Sequence, residues 1–249
     1  MKCLVLAAGY ATRLYPLTEN FPKPLLKVGE KTILDWLVDD IGSSGLVDGF
    51  VIISNHKFAE HFRAWADDKR HSGGRSDEGF YTVLDDGTST NDTRLGAVRD
   101  IRFAIDSLGL DDDLLVVAGD NILDFSLVRF LEYAREKGTS CIMRYWEPDG
   151  KRLRKCGVVE VDSDGRVTGM EEKPAEPKSH WCCPPFYFYR SGDAGRVAEG
   201  MEAGCGVDAP GSFAAWLSTR VPVHAMEMPG RRFDIGDIDS YRRVCELFA

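Results

Sequence analysis

Apolar and polar positions along the first 145 residues predict strands and helices in turn. Short apolar runs predict buried β-strands at residues 3–6, 50–54, 80–84, 114–118 and 141–145. Apolar residues at helical spacing predict helices that begin near residues 32, 58, 94 and 127, and Gly73 and Gly74 break the chain after the second helix. Strands that alternate with helices are typical of a mostly parallel sheet that is covered on both faces. The pattern therefore predicts an α/β fold.

The pattern changes after residue 145, where predicted strands become more frequent. The turn-forming run Asp162-Ser163-Asp164-Gly165 lies between two apolar runs and predicts a β-hairpin. Further elements are predicted as strands at residues 186–189 and 221–226, and as helices around Phe213 and from Ile238 onward. The length fits one domain over residues 1–249, which we divide into halves at 1–145 and 146–249.

Composition narrows the class of protein. The net charge is −9 and there is no basic block in the sequence, which argues against binding to nucleic acid. No apolar run approaches the roughly 20 residues that span a membrane, and the N-terminus enters a strand without a signal-peptide pattern. The seven cysteines form no C-x-x-C pair, which argues against a disulfide framework or a zinc site. We therefore expect a cytoplasmic protein that binds neither nucleic acid nor membranes.

The stretch after the first strand predicts a binding site for phosphate groups. Residues 6–14 read LAAGYATRL, and Lys23 follows between two prolines. Small side chains let backbone N–H groups approach an anion, Arg13 adds a forked cationic donor, and Lys23 adds a compact charge on a restrained backbone. The stretch matches neither G-x-G-x-x-G nor G-x-x-x-x-G-K-[ST], which weakens the dehydrogenase and P-loop interpretations. Together these residues predict a cradle for a polyphosphate.

This stretch resembles the signature loop of the sugar-1-phosphate nucleotidylyltransferases, the family of glucose-1-phosphate thymidylyl- and uridylyltransferases. The family pattern is approximately L-A-A-G-x-G-[TS]-R-L-x-P-L-T followed by P-K-P-L-L, and this chain departs from it at Ala11, where glycine is usual. Alanine fits a compact turn but is less favourable than glycine at positive φ. The resemblance implies that Arg13 holds the β- and γ-phosphates of an NTP and that Lys23 holds the α-phosphate region. It implies further nucleotide contacts from Leu6, Ala7, Ala8, Gly9, Ala11, Thr12 and Gly96.

Three later motifs follow in the order found in the family and extend the resemblance over nearly the whole chain. These motifs are Gly119-Asp120-Asn121, Glu171-Glu172-Lys173-Pro174 and Phe233-Asp234-Ile235-Gly236. The family's two aspartates at the positions of Asp120 and Asp234 hold Mg²⁺, so the resemblance implies Mg²⁺ as the cofactor. It also implies that Glu172 accepts hydrogen bonds from sugar hydroxyls, that Lys173 meets the sugar phosphate, and that Tyr187 lines the same site.

The resemblance implies a fold and a reaction. The fold is that of the nucleotide-diphospho-sugar transferases, which is GT-A-like: a Rossmann-like, mixed, mostly parallel sheet flanked by helices, with a β-rich sugar-binding lobe. Residues 1–145 would bind the nucleotide and residues 146–249 the sugar phosphate. The reaction is that of the 2.7.7 transferases, in which a sugar-1-phosphate attacks the α-phosphorus of an NTP in line and releases pyrophosphate. We expect dTTP or UTP, with CTP as an alternative, and leave open whether the protein is a homo-oligomer.

Two other functions stay open from the sequence. A cytidylyltransferase for an alcohol phosphate such as phosphocholine shares the first loop, and Trp181, Phe186 and Tyr187 could form an aromatic box for a quaternary ammonium. The E-K-P lysine and the D-I-G ending favour a sugar phosphate instead. A non-catalytic nucleotide-sugar sensor would be expected to lose Arg13, Lys23 or one of the aspartates, and all of them are present.

Overall fold

The computed structural model describes residues 1–71 and 79–248, and the break expected at Gly73 and Gly74 lies outside them. The strands in the described residues are β1 (Lys2–Leu6), β2 (Lys27–Val28), β3 (Lys31–Thr32), β4 (Phe50–Ser54), β5 (Tyr81–Asp85), β6 (Leu114–Ala118), β7 (Asn121–Leu123), β8 (Ser140–Trp146), β9 (Gly157–Val161), β10 (Val167–Glu172), β11 (Trp181–Cys183), β12 (Phe186–Tyr189), β13 (Val223–Glu227) and β14 (Arg232–Asp234). The α-helices are α1 (Ile33–Ser43), α2 (Ala59–His71), α3 (Ala97–Leu108), α4 (Val128–Lys137), α5 (Gly150–Leu153), α6 (Ser191–Ala194), α7 (Val197–Glu202), α8 (Gly211–Ser218) and α9 (Ile238–Leu247). Short 3-10 turns lie at Thr12–Leu14, Lys23–Leu25 and Asn91–Thr93.

The strands and helices predicted from the hydrophobic pattern are confirmed, each within a few residues of its expected bounds. The elements without a sequence signal are short, such as β2, β3, β7, β11 and β14. Two or three residues cannot establish a periodic pattern, so only the folded chain reveals them. None of the helices in the described residues has the length and apolar character needed to cross a bilayer.

The chain divides into two compact units that are interleaved along the sequence. The first consists of Met1–Arg94, Ala118–Val128 and Gly230–Ala249, and the second of Leu95–Val117 and Arg129–Pro229. This division follows contacts in space, whereas the halves at 1–145 and 146–249 were drawn by expected function and stay a prediction.

The first unit is built on parallel strands in the order β1–β4–β5. β4 is buried along its whole length, and α2 contacts both β4 and β5. α1 begins at a capping box, in which the Thr32 hydroxyl accepts from the Asp35 N–H and the Asp35 carboxylate accepts from the Thr32 N–H. The loop that follows β1 leaves the carboxyl end of this parallel sheet, which is the edge where open α/β sheets bind ligands.

In the first unit, strand β14 near the end of the chain lies beside β7, the strand that follows Asp120. β14 pairs with β7 in antiparallel fashion, and Asp234 lies opposite Asn121. A buried apolar cluster supports this pair and also receives the first loop, α1 and α9; its members are Leu14, Val28, Ile33, Ile122, Ile235 and Val244. The hydrophobic effect thus holds together the three separate segments that carry Arg13, Asp120 and Asp234.

The second unit contains a mixed sheet in the order β10–β9–β11–β8–β12–β6. β13 runs parallel to one edge of β8, while β12 and β11 share the other edge in antiparallel fashion. The predicted hairpin is confirmed as the antiparallel pair β9–β10, and α8 contacts β10. Antiparallel pairing dominates here, as expected for the β-rich part of the chain.

Candidate active site

A cavity of about 180 Å³ lies after β1 in the first unit. It collects residues from the first loop, from the end of β6, from Asp120 and from the D-I-G element. Its lining residues are Leu6, Ala7, Gly9, Ala11, Arg13, Leu14, Lys23, Pro24, Ala118, Asp120 and Gly236. Of the residues expected in the first loop, Ala8 and Thr12 are outside this lining; Ala8 is buried and Thr12 is exposed. Most of the expected polyphosphate site is therefore assembled in one place.

Hydrogen bonds to neighbouring segments fix the first loop. The Ala7 N–H donates to the Ile53 carbonyl at 2.9 Å, and the buried Asn55 amide donates to the Ala8 carbonyl at 3.0 Å. The Tyr10 hydroxyl donates to the carbonyl of Thr88 at 3.0 Å. Because these bonds anchor the loop to β4 and to the segment after β5, the small residues between them have a defined backbone path.

Ala11 adopts the left-handed backbone conformation, which glycine adopts without strain and alanine does not. Its φ is 47° and its ψ is 42°. An L-residue with a Cβ pays about 1–2 kcal/mol for this conformation. The Ala11 carbonyl accepts hydrogen bonds from the Leu14 N–H at 2.9 Å and from the buried Thr18 hydroxyl at 2.8 Å, and these bonds hold the turn. The chain therefore keeps the turn despite the substitution, at the cost expected from the sequence.

Arg13 is exposed and its guanidinium lies against the turn after β14. A Cβ added at Gly236 would lie 3.7 Å from a terminal nitrogen of Arg13. Asp237 follows and caps α9, where its carboxylate accepts from the Ser240 N–H at 2.8 Å. Hydrogen bonds from Ser240 lower the pKa of Asp237, and the charges of Arg243 and, to a smaller extent, Arg13 add to this effect. Arg13 therefore lines the cavity and is exposed to solvent.

Lys23 and Asp120 form an ion pair in the lining of the cavity. The Lys23 ammonium donates to Asp120 Oδ2 at 2.7 Å, and the side chains are 8% and 38% exposed. Pro22 and Pro24 flank Lys23 in a 3-10 turn, so the backbone that carries the ammonium is restrained. Burial alone would raise the pKa of Asp120, but Lys23, and to a smaller extent Arg232, outweigh it and hold that pKa below its ordinary value.

Gly119 lets Asp120 reach this position. Its N–H donates to the Leu6 carbonyl at 3.0 Å, which brings the chain alongside β1. A Cβ at Gly119 would lie 2.9 Å from a methyl group of Val5, a residue that is itself completely buried. Since the Val5 side chain has no room to move aside, only glycine permits this close approach. The lack of space beside Val5 therefore explains why the residue before Asp120 is a glycine.

Asp234 is joined to Asp120 through two residues that had no assigned role in the sequence. Asn121 donates from its amide to Asp120 Oδ1 at 2.8 Å, and Arg232 donates to Asn121 Oδ1 at 2.7 Å. Arg232 also lies 3.9 Å from an oxygen of Asp234. Asn121 could have been suspected from its place in the G-D-N motif, whereas Arg232 has no signal beyond its position two residues before Asp234.

The two aspartates have the donor chemistry of a Mg²⁺ site completed by a substrate. Within the residues that the structure describes, no cluster of three or more His, Cys, Asp or Glu side chains could hold a metal ion by itself. Mg²⁺ is commonly bound by one or two carboxylates together with waters and phosphate oxygens. Asp120 and Asp234 supply partly exposed carboxylates on neighbouring segments of one unit, which fits that arrangement.

The residues expected to bind the sugar phosphate lie in the second unit. Glu172 lies against two glycines, since a Cβ would come within 2.9 Å of its Oε2 at Gly157 and within 2.1 Å at Gly211. Burial raises the pKa of Glu172, and the charge of Lys173 partly offsets this. Tyr187 is buried nearby, and the same burial raises its pKa well above the ordinary value. The two glycines thus make room for a carboxylate at the end of β10.

Lys173 has an unusual backbone and a carboxylate near its ammonium. Its φ is 51°, and its N–H donates to the Cys156 carbonyl at 3.0 Å. Its ammonium lies 3.9 Å from Asp208 Oδ2, with both side chains about half exposed. A sugar phosphate at Lys173 would therefore compete with Asp208 for the same cation.

Gly96 is the N-cap of α3, and its lack of a side chain serves a contact within the second unit. Its φ is 93°, and a Cβ there would lie 2.6 Å from the Val207 carbonyl oxygen. The Ala97 and Val98 N–H groups donate to the carbonyls of Asp208 and Val207 at 3.1 and 3.0 Å. The first amides of α3 are thus already used by the chain, and a nucleotide contact at Gly96 stays a prediction.

Comparison with known proteins places this geometry in a family. The model of the family described as "Nucleotidyl transferase" matches residues 2–247. A UTP–glucose-1-phosphate uridylyltransferase from Synechocystis sp. PCC 6803 is 26% identical over 245 residues, which are 97% of this chain and 61% of that protein. A glucose-1-phosphate thymidylyltransferase from Streptomyces antibioticus is 32% identical over 193 residues, which are 76% of this chain and 49% of that protein. The chain thus spans about half to two thirds of the length of these curated relatives.

The solved structures agree on the fold. A UDP-glucose pyrophosphorylase in complex with UDP-glucose superimposes with a TM-score of 0.82 at 18% identity, over 99% of this chain and 97% of that one. An apo UDP-glucose pyrophosphorylase gives a TM-score of 0.81 at 17% identity, with the same coverage of both chains. The expected GT-A-like α/β fold, a mixed sheet flanked by helices, is therefore confirmed. Because the family model covers nearly the whole chain, this chain belongs to the nucleotidyl transferase family.

Proposed function

We propose that this protein joins an NTP to a sugar-1-phosphate, forming an NDP-sugar and pyrophosphate. The observation that carries the proposal is the cavity of the first unit, where Arg13, Lys23, Asp120 and Gly236 come together from segments far apart in sequence. The relatives named as glucose-1-phosphate thymidylyl- and uridylyltransferases support the same reaction class. They also favour dTTP or UTP as the nucleotide, with CTP as an alternative.

The reaction brings one anion against another, so charge neutralisation and positioning carry the catalysis. The sugar phosphate oxygen is already anionic near neutral pH and needs no general base to attack the α-phosphorus. Arg13 would hold the outer phosphates of the NTP, since its guanidinium is exposed at the cavity. Lys23 would pass from Asp120 to the α-phosphate region and stabilise the charge that grows on the leaving pyrophosphate.

Two carboxylates would hold a metal ion, and residues of the second unit would bind the sugar phosphate. Mg²⁺ held by Asp120 and Asp234 would supply further positive charge to the phosphate oxygens. In the second unit, Glu172 would accept hydrogen bonds from sugar hydroxyls near Tyr187, and Lys173 would exchange Asp208 for the sugar phosphate.

No observation favours the phosphocholine alternative. Phe186 and Tyr187 are both buried, and the guanidinium of Arg144 lies 4.3 Å from the centre of a Trp181 ring. These three aromatic side chains therefore do not present an open box to a quaternary ammonium. Release of pyrophosphate distinguishes an enzyme from a sensor without activity.

Purified protein with Mg²⁺ should release pyrophosphate only when an NTP and a sugar-1-phosphate are both present. The assay pairs dTTP, UTP and CTP with common hexose-1-phosphates, and a coupled enzyme measures pyrophosphate. Phosphocholine with CTP is the comparison for the alternative reaction. A folded sample that binds an NTP by calorimetry and yet stays inactive with every sugar phosphate would refute the proposal and favour a sensor.

Asp120→Asn and Asp234→Asn should each slow turnover severely and raise the Mg²⁺ concentration needed for half-maximal rate. Because both carboxylates serve one ion in this proposal, the double variant should be little slower than the slower single variant. Asp239→Asn, at an exposed position on α9, is the matched control and should behave as wild type. Losses that multiply, with an unchanged Mg²⁺ requirement, would show that the two aspartates do not share an ion.

Lys173→Met should raise KM for the sugar phosphate about tenfold or more, because a hydrogen bond to a charged group contributes about 1.5–3 kcal/mol. Affinity for the NTP, measured by calorimetry without sugar phosphate, should hardly change. Lys178→Met, at an exposed lysine a few residues later, controls for the loss of one charge. A drop in NTP affinity as large as that of Arg13→Met would place Lys173 at the triphosphate instead.

A further inference from the structure

Two hydrogen bonds and one longer ion-pair contact link the two carboxylates that are predicted to bind a metal ion. Arg232 donates to Asn121 Oδ1 at 2.7 Å, and Asn121 donates to Asp120 Oδ1 at 2.8 Å. The same terminal nitrogen of Arg232 lies 3.9 Å from Asp234 Oδ2, which is an ion-pair contact and not a hydrogen bond. Asn121 is completely buried and the Arg232 side chain is only 17% exposed, so this link lies inside the unit.

Arg232 fixes which way the Asn121 amide points, together with the Asp120 carboxylate and the Ala118 carbonyl, which accept from its NH₂ group at 2.8 and 3.4 Å. An amide has a donating end and an accepting end, and rotation by half a turn exchanges them. Rotated in this way, Asn121 would turn its carbonyl oxygen toward the Asp120 carboxylate and its NH₂ group toward the guanidinium. Both contacts would then be repulsive, whereas the observed orientation makes both attractive. A permanently charged donor at position 232 therefore keeps the donating end of Asn121 on Asp120.

The Asp120 carboxylate is fixed from two directions as a result. Oδ1 accepts from Asn121 and Oδ2 accepts from Lys23 at 2.7 Å. When Lys23 leaves Asp120 for a phosphate, only the Asn121 bond is left of these two to hold the carboxylate. The same guanidinium attracts Asp234, which lies two residues later on its own strand, β14. Arg232 therefore affects the orientation of Asp120 through Asn121 and contacts Asp234 directly.

We propose that Arg232 is a positioning residue for nucleotidyl transfer, which orients Asp120 through the Asn121 amide and draws Asp234 toward the same point. The inference rests on the proposed function and concerns how its carboxylates are prepared for a divalent cation. Residues that orient metal ligands through one intervening hydrogen bond typically change metal affinity 10- to 100-fold when they are replaced.

The test measures cation binding apart from turnover. Wild type and variants are titrated with preformed Mn²⁺–dTTP or Mn²⁺–UTP, whichever the wild type binds, and bound Mn²⁺ is followed by electron paramagnetic resonance. The same nucleotide in EDTA, followed by calorimetry, gives affinity without the cation. Arg232→Met should weaken Mn²⁺–nucleotide binding about 10-fold or more while changing metal-free binding much less.

Arg231→Met is the matched control. The Arg231 side chain is 83% exposed and forms an ion pair with Asp124 at 3.6 Å. It therefore takes no part in the contacts that join Arg232 to Asn121. It should bind Mn²⁺–nucleotide as the wild type does. Equal affinities for Arg231→Met and Arg232→Met would overturn the inference, even if the wild type releases pyrophosphate. A wild type that is inactive with every substrate pair would count against the proposed function instead.

Two further variants separate positioning from a general structural role. Asn121→Ala should weaken Mn²⁺–nucleotide binding as well, and adding Arg232→Met to it should cost little more, because Arg232 acts through Asn121. Effects that multiply would contradict the proposed relay. If Arg232→Met unfolds, Arg232→Lys keeps a charge but loses the fork, and it should show a smaller loss of Mn²⁺ affinity with its unfolding temperature preserved. Wild-type Mn²⁺ affinity in Arg232→Lys would then overturn the inference.

Discussion

The ion pair between Lys23 and Asp120 is the interaction on which the candidate site depends. The ammonium is almost fully buried, and a buried charge without a partner is strongly destabilising, so Asp120 stabilises Lys23 before any substrate arrives. The same pair holds the pKa of Asp120 below its ordinary value, although partial burial of the carboxylate would raise that pKa. In the proposed reaction, a phosphate group takes over the role that Asp120 has in the free protein. The cavity is thus organised around a cation whose partner can be exchanged, which fits a reaction limited by repulsion between anions.

Close approach of backbone segments makes this pair possible, and the chain accepts local strain to achieve it. Gly119 lets the segment of Asp120 run against β1, because a side chain there would strike Val5. Ala11 holds a left-handed conformation in which glycine would be unstrained, and Thr18 and Leu14 stabilise the turn through its carbonyl. Strained backbone is commonly found at binding sites, where the surrounding structure enforces it. Alanine at position 11 therefore raises the cost of the turn, and the two hydrogen bonds to its carbonyl stabilise the left-handed conformation.

Much of this arrangement could be predicted from sequence, and the exceptions have a common cause. The strands β1, β4 and β6 were predictable because each contains at least four consecutive apolar residues, and motifs drew attention to Arg13, Lys23 and Asp120. The pairing of β7 with β14 was not, because each strand has three residues and over a hundred residues separate them. Asn121 and Arg232 gain their roles only through that pairing. The family resemblance predicts a nucleotide contact at Gly96. Its positive φ and its close contact with Val207 are visible only in the folded chain.

Replacement of Lys23 tests the central claim most directly. Lys23→Met keeps the length of the side chain and removes its charge, while Lys27→Met does the same at an exposed position in β2. The measurement is the rate of pyrophosphate formation in a single turnover, with NTP bound to saturation and folding checked by thermal unfolding. Loss of one preorganised donor at the reacting phosphate should slow Lys23→Met by about 10²-fold or more, and Lys27→Met should react as the wild type does. A folded Lys23→Met protein that transfers the nucleotide at the wild-type rate would contradict the account.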